Sequence, residues 1–185
     1  MVDEVIAAAE DRMGKALDSE RQDLINIRTG RANPSVLENV SVQAYGSVMP
    51  LVQLASISAP DPRMLMIQPY DRSVIGDIER AILRSDLGFN PTNEGTVIRI
   101  VIPPLTEERR RELVKLVHRR VEEARVAIRN IRREAHDKIR HMLREKEISQ
   151  DEESVASEQL QKLTDRMVEQ AEVLGATKET EMMEV

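Results

Sequence analysis

Five arginines stand within ARVAIRNIRREAHDKIR (124–140), at positions 125, 129, 132, 133 and 140, with Lys138 among them and only Glu134 and Asp137 in opposition. A guanidinium group is a planar fork that matches phosphate oxygens two at a time. On a helix turning about 100° per residue, Arg125, Arg129, Arg132, Arg133, His136 and Arg140 fall within an arc of roughly 100°, and Arg111 and Lys115 extend it upstream. The apolar residues Val121, Ala124, Ile128 and Ala135 lie on a stripe displaced by roughly 100° from the basic one. The arginines therefore face away from their helix's own core. Such a face either binds an anion or is neutralised by acids on neighbouring helices. Glu122 is the main local acid, and this scarcity favours anion binding. The chain has two Tyr, one Phe and no Trp, so the face has no aromatic platforms for unpaired bases. Structured RNA, held by its phosphates and read by shape, fits it better.

Other chemistry is missing. His118, His136 and His141 are the only histidines, and the last two point to different sides of one helix. No metal site is expected from them. The seven glycines build neither a phosphate loop nor a dinucleotide fingerprint. No serine stands in a nucleophile elbow. The pairs Glu107-Glu108, Glu122-Glu123 and Glu152-Glu153 are sequence neighbours on helices and point apart. There is no Cys, which excludes disulfides and thiol chemistry. The expectation is a protein that is not an enzyme and carries no cofactor; energy from a nucleotide would have to be supplied by a partner.

Charge is segregated along the chain. Residues 106–148 hold fourteen basic and nine acidic groups, net +5, whereas residues 149–185 hold three and ten, net −7. The whole chain is at −6, so the basic face is directional rather than part of a generally cationic surface. The N-terminal MVDEVIAAAEDRM is acidic and lacks the basic and apolar regions of a signal peptide. No apolar run approaches a membrane span. A soluble, cytoplasmic protein without membrane contact is expected.

The elements that must carry this face can be read from periodicity. Ile6, Met13, Leu17, Leu24 and Ile27, with Ala9 and the polar Glu20 between them, step by three and four over residues 2–29. Residues 106–146 keep a heptad of Val114, Val117, Val121, Ala124, Ile128, Ile131, Ala135 and Met142, interrupted by Lys138. After a break and a fresh cap at 148–151, Leu160, Leu163, Met167, Ala171 and Leu174 mark a third helix to about 183. Three such stripes bury one another as a three-helix bundle. Residues 36–102 differ. They alternate apolar and polar residues, turn at Tyr45-Gly46-Ser47, break at Pro60-Asp61-Pro62 and hold one short helix from Asp71 or Ser73 to about Ser85. An edge strand is expected at Asn90–Thr92 and a strand at Thr96–Ile102. The expected class is α+β: a discontinuous bundle of residues 1–29 and 106–185, with a small domain of residues 30–105 inserted between its first two helices. Its linkers, Gly30–Pro34 and Ile102–Leu105, form either a two-stranded hinge or a pair of rigid turns.

The stretches IRTGRANPS (27–35), YGS (45–47), PLVQLASI (50–57), DRS (71–73), SDLGFNPTNEGTVIRI (85–100), PPLTEERRREL (103–113), ARVAIRNIRREAHDKI (124–139) and EKEIS (145–149) together resemble bacterial ribosome recycling factor along the whole chain. The resemblance implies an L-shaped monomer with a three-helix arm, a β/α/β arm and a hinge formed by Gly30, Arg31, Ala32, Asn33, Pro34, Ile102, Pro103, Pro104 and Leu105. It implies partnership with the ribosome, through large-subunit ribosomal RNA, and with elongation factor G and GTP in splitting ribosomes after termination. Arg132 is implied as the arginine most tied to ribosome binding, flanked by Arg129 and Arg133, with Arg28 and Arg31 near the hinge. Two rivals remain: a ribosome-silencing factor, and a helical adaptor for an acidic protein. His136 stands where the resemblance leads one to expect a small polar residue, and Met182 and Met183 fall in a tail implied to pack near the hinge.

Overall fold

Helix α1, Val2–Ile25, buries Ala9, Met13, Leu17, Glu20 and Leu24, all on one face. It ends four residues before the expected Thr29, where a tighter turn takes over: the Ile27 N–H donates to Leu24 O at 3.1 Å. The computed structural model describes residues 1–184; Val185, the last residue of the expected bundle segment, lies outside the described residues. By their internal packing these fall into two units, Met1–Arg28 with Glu107–Met183, and Thr29–Thr106 with Glu184.

The first unit is helical. After a four-residue helix α2 (Ser35–Glu38) and a helix α3 (Ile75–Arg84), both in the second unit, the chain returns as α4, Glu107–Arg144, and α5, Gln150–Met183. Helices α1, α4 and α5 pack pairwise against one another. Their shared core runs through Met13, Leu17, Ile128, Ile131, Ile139, Leu160 and Ala171. The buried stripe of α4 is Leu113, Val117, Val121, Ala124, Ile128, Ile131, Ala135 and Ile139. At both ends this departs from the expected heptad: Leu113 replaces Val114, and Ile139 replaces Lys138. An α-helix needs more steps of four than a seven-residue repeat allows, so over a long helix the stripe drifts around its axis. That drift also leaves Lys138 exposed rather than buried. Between α4 and α5, Lys146 takes φ +60°. Ser149 then opens α5 with a reciprocal cap: its backbone N–H donates to Glu152 Oε2 at 2.7 Å, and Glu152 N–H donates to Ser149 Oγ at 3.2 Å.

The second unit holds two antiparallel sheets. Strands β1 (Ser41–Ala44) and β2 (Ser47–Pro50) pair across a two-residue turn in which Tyr45 and Gly46 have φ of +53° and +77°, the geometry that matches strand twist. The other sheet has the order β3-β4-β6-β5, with β3 Ala55–Asp61, β4 Met64–Pro69, β5 Pro91–Asn93 and β6 Ile98–Val101. Pro60 does not break β3 as expected. The strand lies at the sheet edge and carries an irregularity between Ser58 and Asp61, where a missing N–H leaves no ladder partner unsatisfied. The edge strand expected at Asn90–Thr92 sits one residue later, and the strand expected at Thr96–Ile102 is shorter at both ends. Helix α3 buries Ile78 and Ile82, and just upstream Asp71 Oδ1 accepts from the Ser73 N–H at 2.9 Å. Short α2 was not foreseen. It follows Pro34, whose fixed φ suits a helix start, and it buries Leu37.

Candidate nucleic-acid interface

Helix α4 positions the arginines because its buried stripe fixes its rotation against α1 and α5. Of the two acids in the 124–140 segment, Glu134 is turned to α1. It accepts from Arg12 Nη1 at 2.6 Å, which holds its carboxyl below the usual range. One negative charge is thereby directed away from the arginine face.

The arginines then sort by environment. Arg125 is half-buried and bound twice, to Glu172 Oε1 on α5 at 2.9 Å and to Glu122 Oε2 at 3.0 Å. Arg132 is also half-buried, and its Nη1 donates to Gln161 Oε1 on α5 at 2.9 Å. Arg129, Arg133 and Arg140 are exposed, and among the described residues they have no ion-pair partner. Counting only local acids missed Glu172, which lies 47 residues away in sequence.

Three further cations of α4, Lys115, Arg119 and Arg144, are likewise exposed and unpaired among the described residues. On a helix of about 100° per residue, these six unpaired charges all fall between roughly 40° and 120° from Arg125. From Lys115 to Arg144 they span about 44 Å of helix. Arg119 and Arg144 escaped the sequence reading because they lie on the far flank of the stripe. Their signal is the lack of an acid within reach, which needs the folded partners. By contrast, Arg109, Arg111 and Arg120 pair locally with Glu112, Glu107 and Glu123.

A groove of about 320 Å³ opens beside this face, between α4 and α5, lined by Arg132, Arg133, His136, Ser157, Leu160 and Gln161. Among the described residues, no carboxylate lines it. A second groove of about 460 Å³ on the same pair of helices holds Arg125, Glu122, Glu172, His118 and Glu179, with His118 in contact with Glu179. Its three carboxylates outnumber its single arginine, so it is acidic rather than cationic.

The remaining expected site residues lie elsewhere. Arg28 is exposed just beyond α1 and engaged in an interaction. Arg31 pairs with Glu184 Oε2 at 3.4 Å. Gly30 has φ +76°, and a Cβ there would come within 2.9 Å of Leu105 Cγ. The Ala32 N–H donates to Pro62 O at 2.7 Å, and the Ile102 N–H donates to Arg63 O at 2.8 Å. Both linkers are thus tied to the same β3–β4 turn of the second unit. Asn33 Oδ1 accepts from the Ser35 hydroxyl at 2.8 Å, just before Pro34 leads into α2. Pro103 and Pro104 lie outside regular structure. Of the two tail methionines, Met182 is buried and Met183 exposed. No group of histidines and carboxylates suited to a metal occurs among the described residues, and none of their helices is long and apolar enough to cross a membrane.

Residues 21–183 match the family model of ribosome recycling factor. The ribosome-recycling factor of Symbiobacterium thermophilum is 54% identical over 185 residues, covering all of both chains, and that of a Geobacillus species (strain WCH70) is equally similar over the same span. A solution structure of ribosome recycling factor superposes with a TM-score of 0.77 at 43% identity, over 100% of this chain and 98% of that one. A T. thermophilus recycling factor, in a structure with E. coli elongation factor G bound to the E. coli post-termination complex, gives 0.64 at 46% identity over 98% of each chain. These relatives are translation factors rather than enzymes. With a family match across nearly its whole length and relatives above half identity end to end, the chain belongs to the ribosome recycling factor family.

Proposed function

We propose that this protein acts in the cytoplasm with elongation factor G and GTP to split post-termination ribosomes into subunits. The exposed cations of α4 anchor the helical unit to large-subunit ribosomal RNA. The second unit then moves about the linkers Gly30–Pro34 and Ile102–Leu105. The observation that carries this reading is the row of six cations on one side of α4 that are unpaired among the described residues. Phosphate contacts of this kind dominate affinity for structured RNA and make it depend on salt. The ties from Ala32 and Ile102 to the β3–β4 turn narrow the pivot to the residues outside them, Thr29–Arg31 and Pro103–Thr106. Motion there needs no broken strand pairing. The chain works as a monomer.

Light scattering of post-termination ribosomes tests the proposal. It falls only when this protein, elongation factor G and GTP are all present. Replacing Arg129, Arg133 and Arg140 together by Ala weakens binding to the large subunit at least tenfold and leaves thermal melting unchanged. The log–log salt slope drops by roughly 0.7–0.9 for each phosphate that is no longer neutralised. Arg125→Ala, which removes an already neutralised charge, weakens binding much less; Arg132→Ala falls between. Unchanged binding by the triple variant refutes the assignment of the face. Tight binding without splitting points to a silencing factor, and a complex that survives ribonuclease points to an adaptor for protein.

A further inference from the structure

The edge strands of the second unit are β1, β2, β3 and β5. Proline stands in three of them: Pro50 in β2, Pro60 in β3 and Pro91 in β5. Proline removes a donor and blunts an edge against pairing with another chain. Strand β1, Ser41-Val42-Gln43-Ala44, has neither proline nor charge. Its ladder runs on one side only. The Leu51 N–H donates to Val40 O at 2.9 Å, and the register continues with Val42 opposite Met49 and Ala44 opposite Ser47. In an antiparallel pair every second residue bonds across, so Val40, Val42 and Ala44 spend their backbone groups on β2 and its flank. Ser41 and Gln43, between them, aim N–H and C=O out of the other edge. Neither has a backbone partner there among the described residues.

Helix α3 packs against β1, and a groove of about 730 Å³ opens between the hairpin and the helix. Sites for small ligands or a few residues of chain occupy about 300–1,000 Å³. Ser41 and Gln43 stand on one side with Val48 of β2, which is 69% exposed; Arg80 and Arg84 of α3 stand on the other. Asp77, the one carboxylate lining the groove among the described residues, is paired with Arg80. Arg84 has no partner among the described residues. The groove thus joins alternating backbone donors and acceptors, an exposed apolar side chain and one uncompensated positive charge.

Possible occupants meet these groups differently. An RNA phosphate suits Arg84 but not the outward carbonyls of Ser41 and Gln43. A second copy brings another Arg80 and Arg84, and its β1 offers no carboxylate. An extended acidic peptide answers every group: its backbone pairs with the open edge, and a carboxylate on the α3 side meets Arg84. We propose that β1 and α3 form a docking site for an extended, acidic segment of a protein partner, which adds to β1 as a third strand and sets a carboxylate against Arg84. This proposal is independent of the RNA-binding reading, which concerns α4.

The test is a nuclear magnetic resonance titration of the isotope-labelled full-length protein with a capped hexapeptide of alternating glutamate and valine. Amide shifts appear at Ser41, Gln43, Val48 and Arg84. Arg84→Glu weakens binding about fivefold, the size of one exposed ion pair, and transfers the preference to a peptide with lysine in place of glutamate. Gln43→Pro removes an N–H that bonds to nothing in the free protein, so the fold survives, as circular dichroism melting checks, while peptide binding is lost. Peptides N-methylated at alternate amides give the sharpest readout. Methylation in one phase abolishes the shifts and in the other preserves them, because only every second N–H of an added strand faces β1. Equal loss in both phases, or loss in neither, overturns strand addition. The proposal also falls if millimolar peptide produces no shift, or shifts only Arg129, Arg133 and Arg140 by coating the cationic face of α4. It falls again if a short single-stranded oligoribonucleotide moves Arg84 where the peptide does not, or if sedimentation shows a dimer that Gln43→Pro dissociates; the occupant is then RNA or a second copy. None of these outcomes overturns the RNA-binding reading of α4.

Discussion

The two units of this protein bury their cores by different means. In the second unit, Leu37, Leu51, Leu65, Ile67, Ile78, Ile82, Ile98 and Ile100 are all fully buried large aliphatics. In the bundle, the large side chains buried to that standard are fewer: Met13, Ile128, Ile139, Leu160 and Met182. The rest of the bundle's core includes Ala9, Ala124, Ala135, Ala156 and Ala171, and the helix contacts also bury Gly175, Thr164 and the carboxyl of Glu20. Small residues let three helices approach closely, but each removes less apolar surface from water. The helices make up part of the difference with ion pairs between them, Arg12–Glu134, Arg166–Glu10 and Arg125–Glu172. Such exposed pairs are each worth little, roughly 0–1 kcal/mol. A rod that presents a long cationic face needs length and surface more than it needs a thick core.

The most severe way to test the contrast is to empty the stronger core. Ile78 on α3 has no exposed surface, and Ile78→Ala removes about 2–5 kcal/mol. Hydrogen exchange shows where the loss falls. Protection of β4 and β6 drops by the corresponding factor while the centre of α4 keeps its own. Equal loss in α4 would mean that the two cores unfold as one cooperative unit and that the contrast has no energetic meaning.

Glu20 is the weak point of the bundle. It is 3% exposed, neither carboxylate oxygen has a partner among the described residues, and burial pushes its carboxyl up to about 7 from an ordinary 4.5, opposed only in part by Arg21. The folded chain therefore holds this proton more tightly than the unfolded chain does. Its stabilising contribution is complete below about 4.5 and is lost as pH rises through 7. The full penalty at pH 8 is about 3 kcal/mol. Glu20→Leu fills the stripe between Leu17 and Leu24 and recovers that amount at pH 8, with almost no gain at pH 4.5. Glu20→Gln removes the titration alone. Denaturant midpoints across this range check both. A wild-type protein whose stability is level from pH 5 to 8 would show that water or a neighbour already relieves the carboxylate.

Most of this architecture is legible in the sequence, because periodicity reports burial on long helices and the return of a helical stripe after residue 105 implies an insertion. Glu20 was visible as a polar residue within the apolar stripe of α1. Its lack of a partner was not, since that depends on what α4 and α5 bring to it. The arginine face was legible in direction but not in composition. Helical geometry put Arg125 with Arg129, Arg132, Arg133 and Arg140, whereas the folded structure hands Arg125 to Glu172 and leaves Lys115, Arg119 and Arg144 unpaired among the described residues. Phase along one helix follows from sequence; which acid on another helix reaches it does not. Helix ends and sheet edges moved by a few residues for a related reason, since tertiary hydrogen bonds such as Ala32 N–H to Pro62 O decide where regular structure stops.

The smallest effect concerns the closeness that the thin core depends on. A Cβ at Gly175 on α5 would lie 2.3 Å from Val121 Cγ2 on α4. Elsewhere in a helix, Gly→Ala gains up to about 1 kcal/mol. Here, overpacking costs about 1–3 kcal/mol, so Gly175→Ala lowers bundle stability by roughly 1–2 kcal/mol net. Val121→Ala alone also destabilises, by opening space. The double variant recovers much of the first loss, because the added methyl occupies the volume vacated by valine. A thermal-denaturation double-mutant cycle reads this as a coupling of opposite sign to the single losses. Additive losses would instead mean that α5 can shift away from α4 at Gly175, and that the small residues of the bundle reflect tolerance rather than a requirement for close approach.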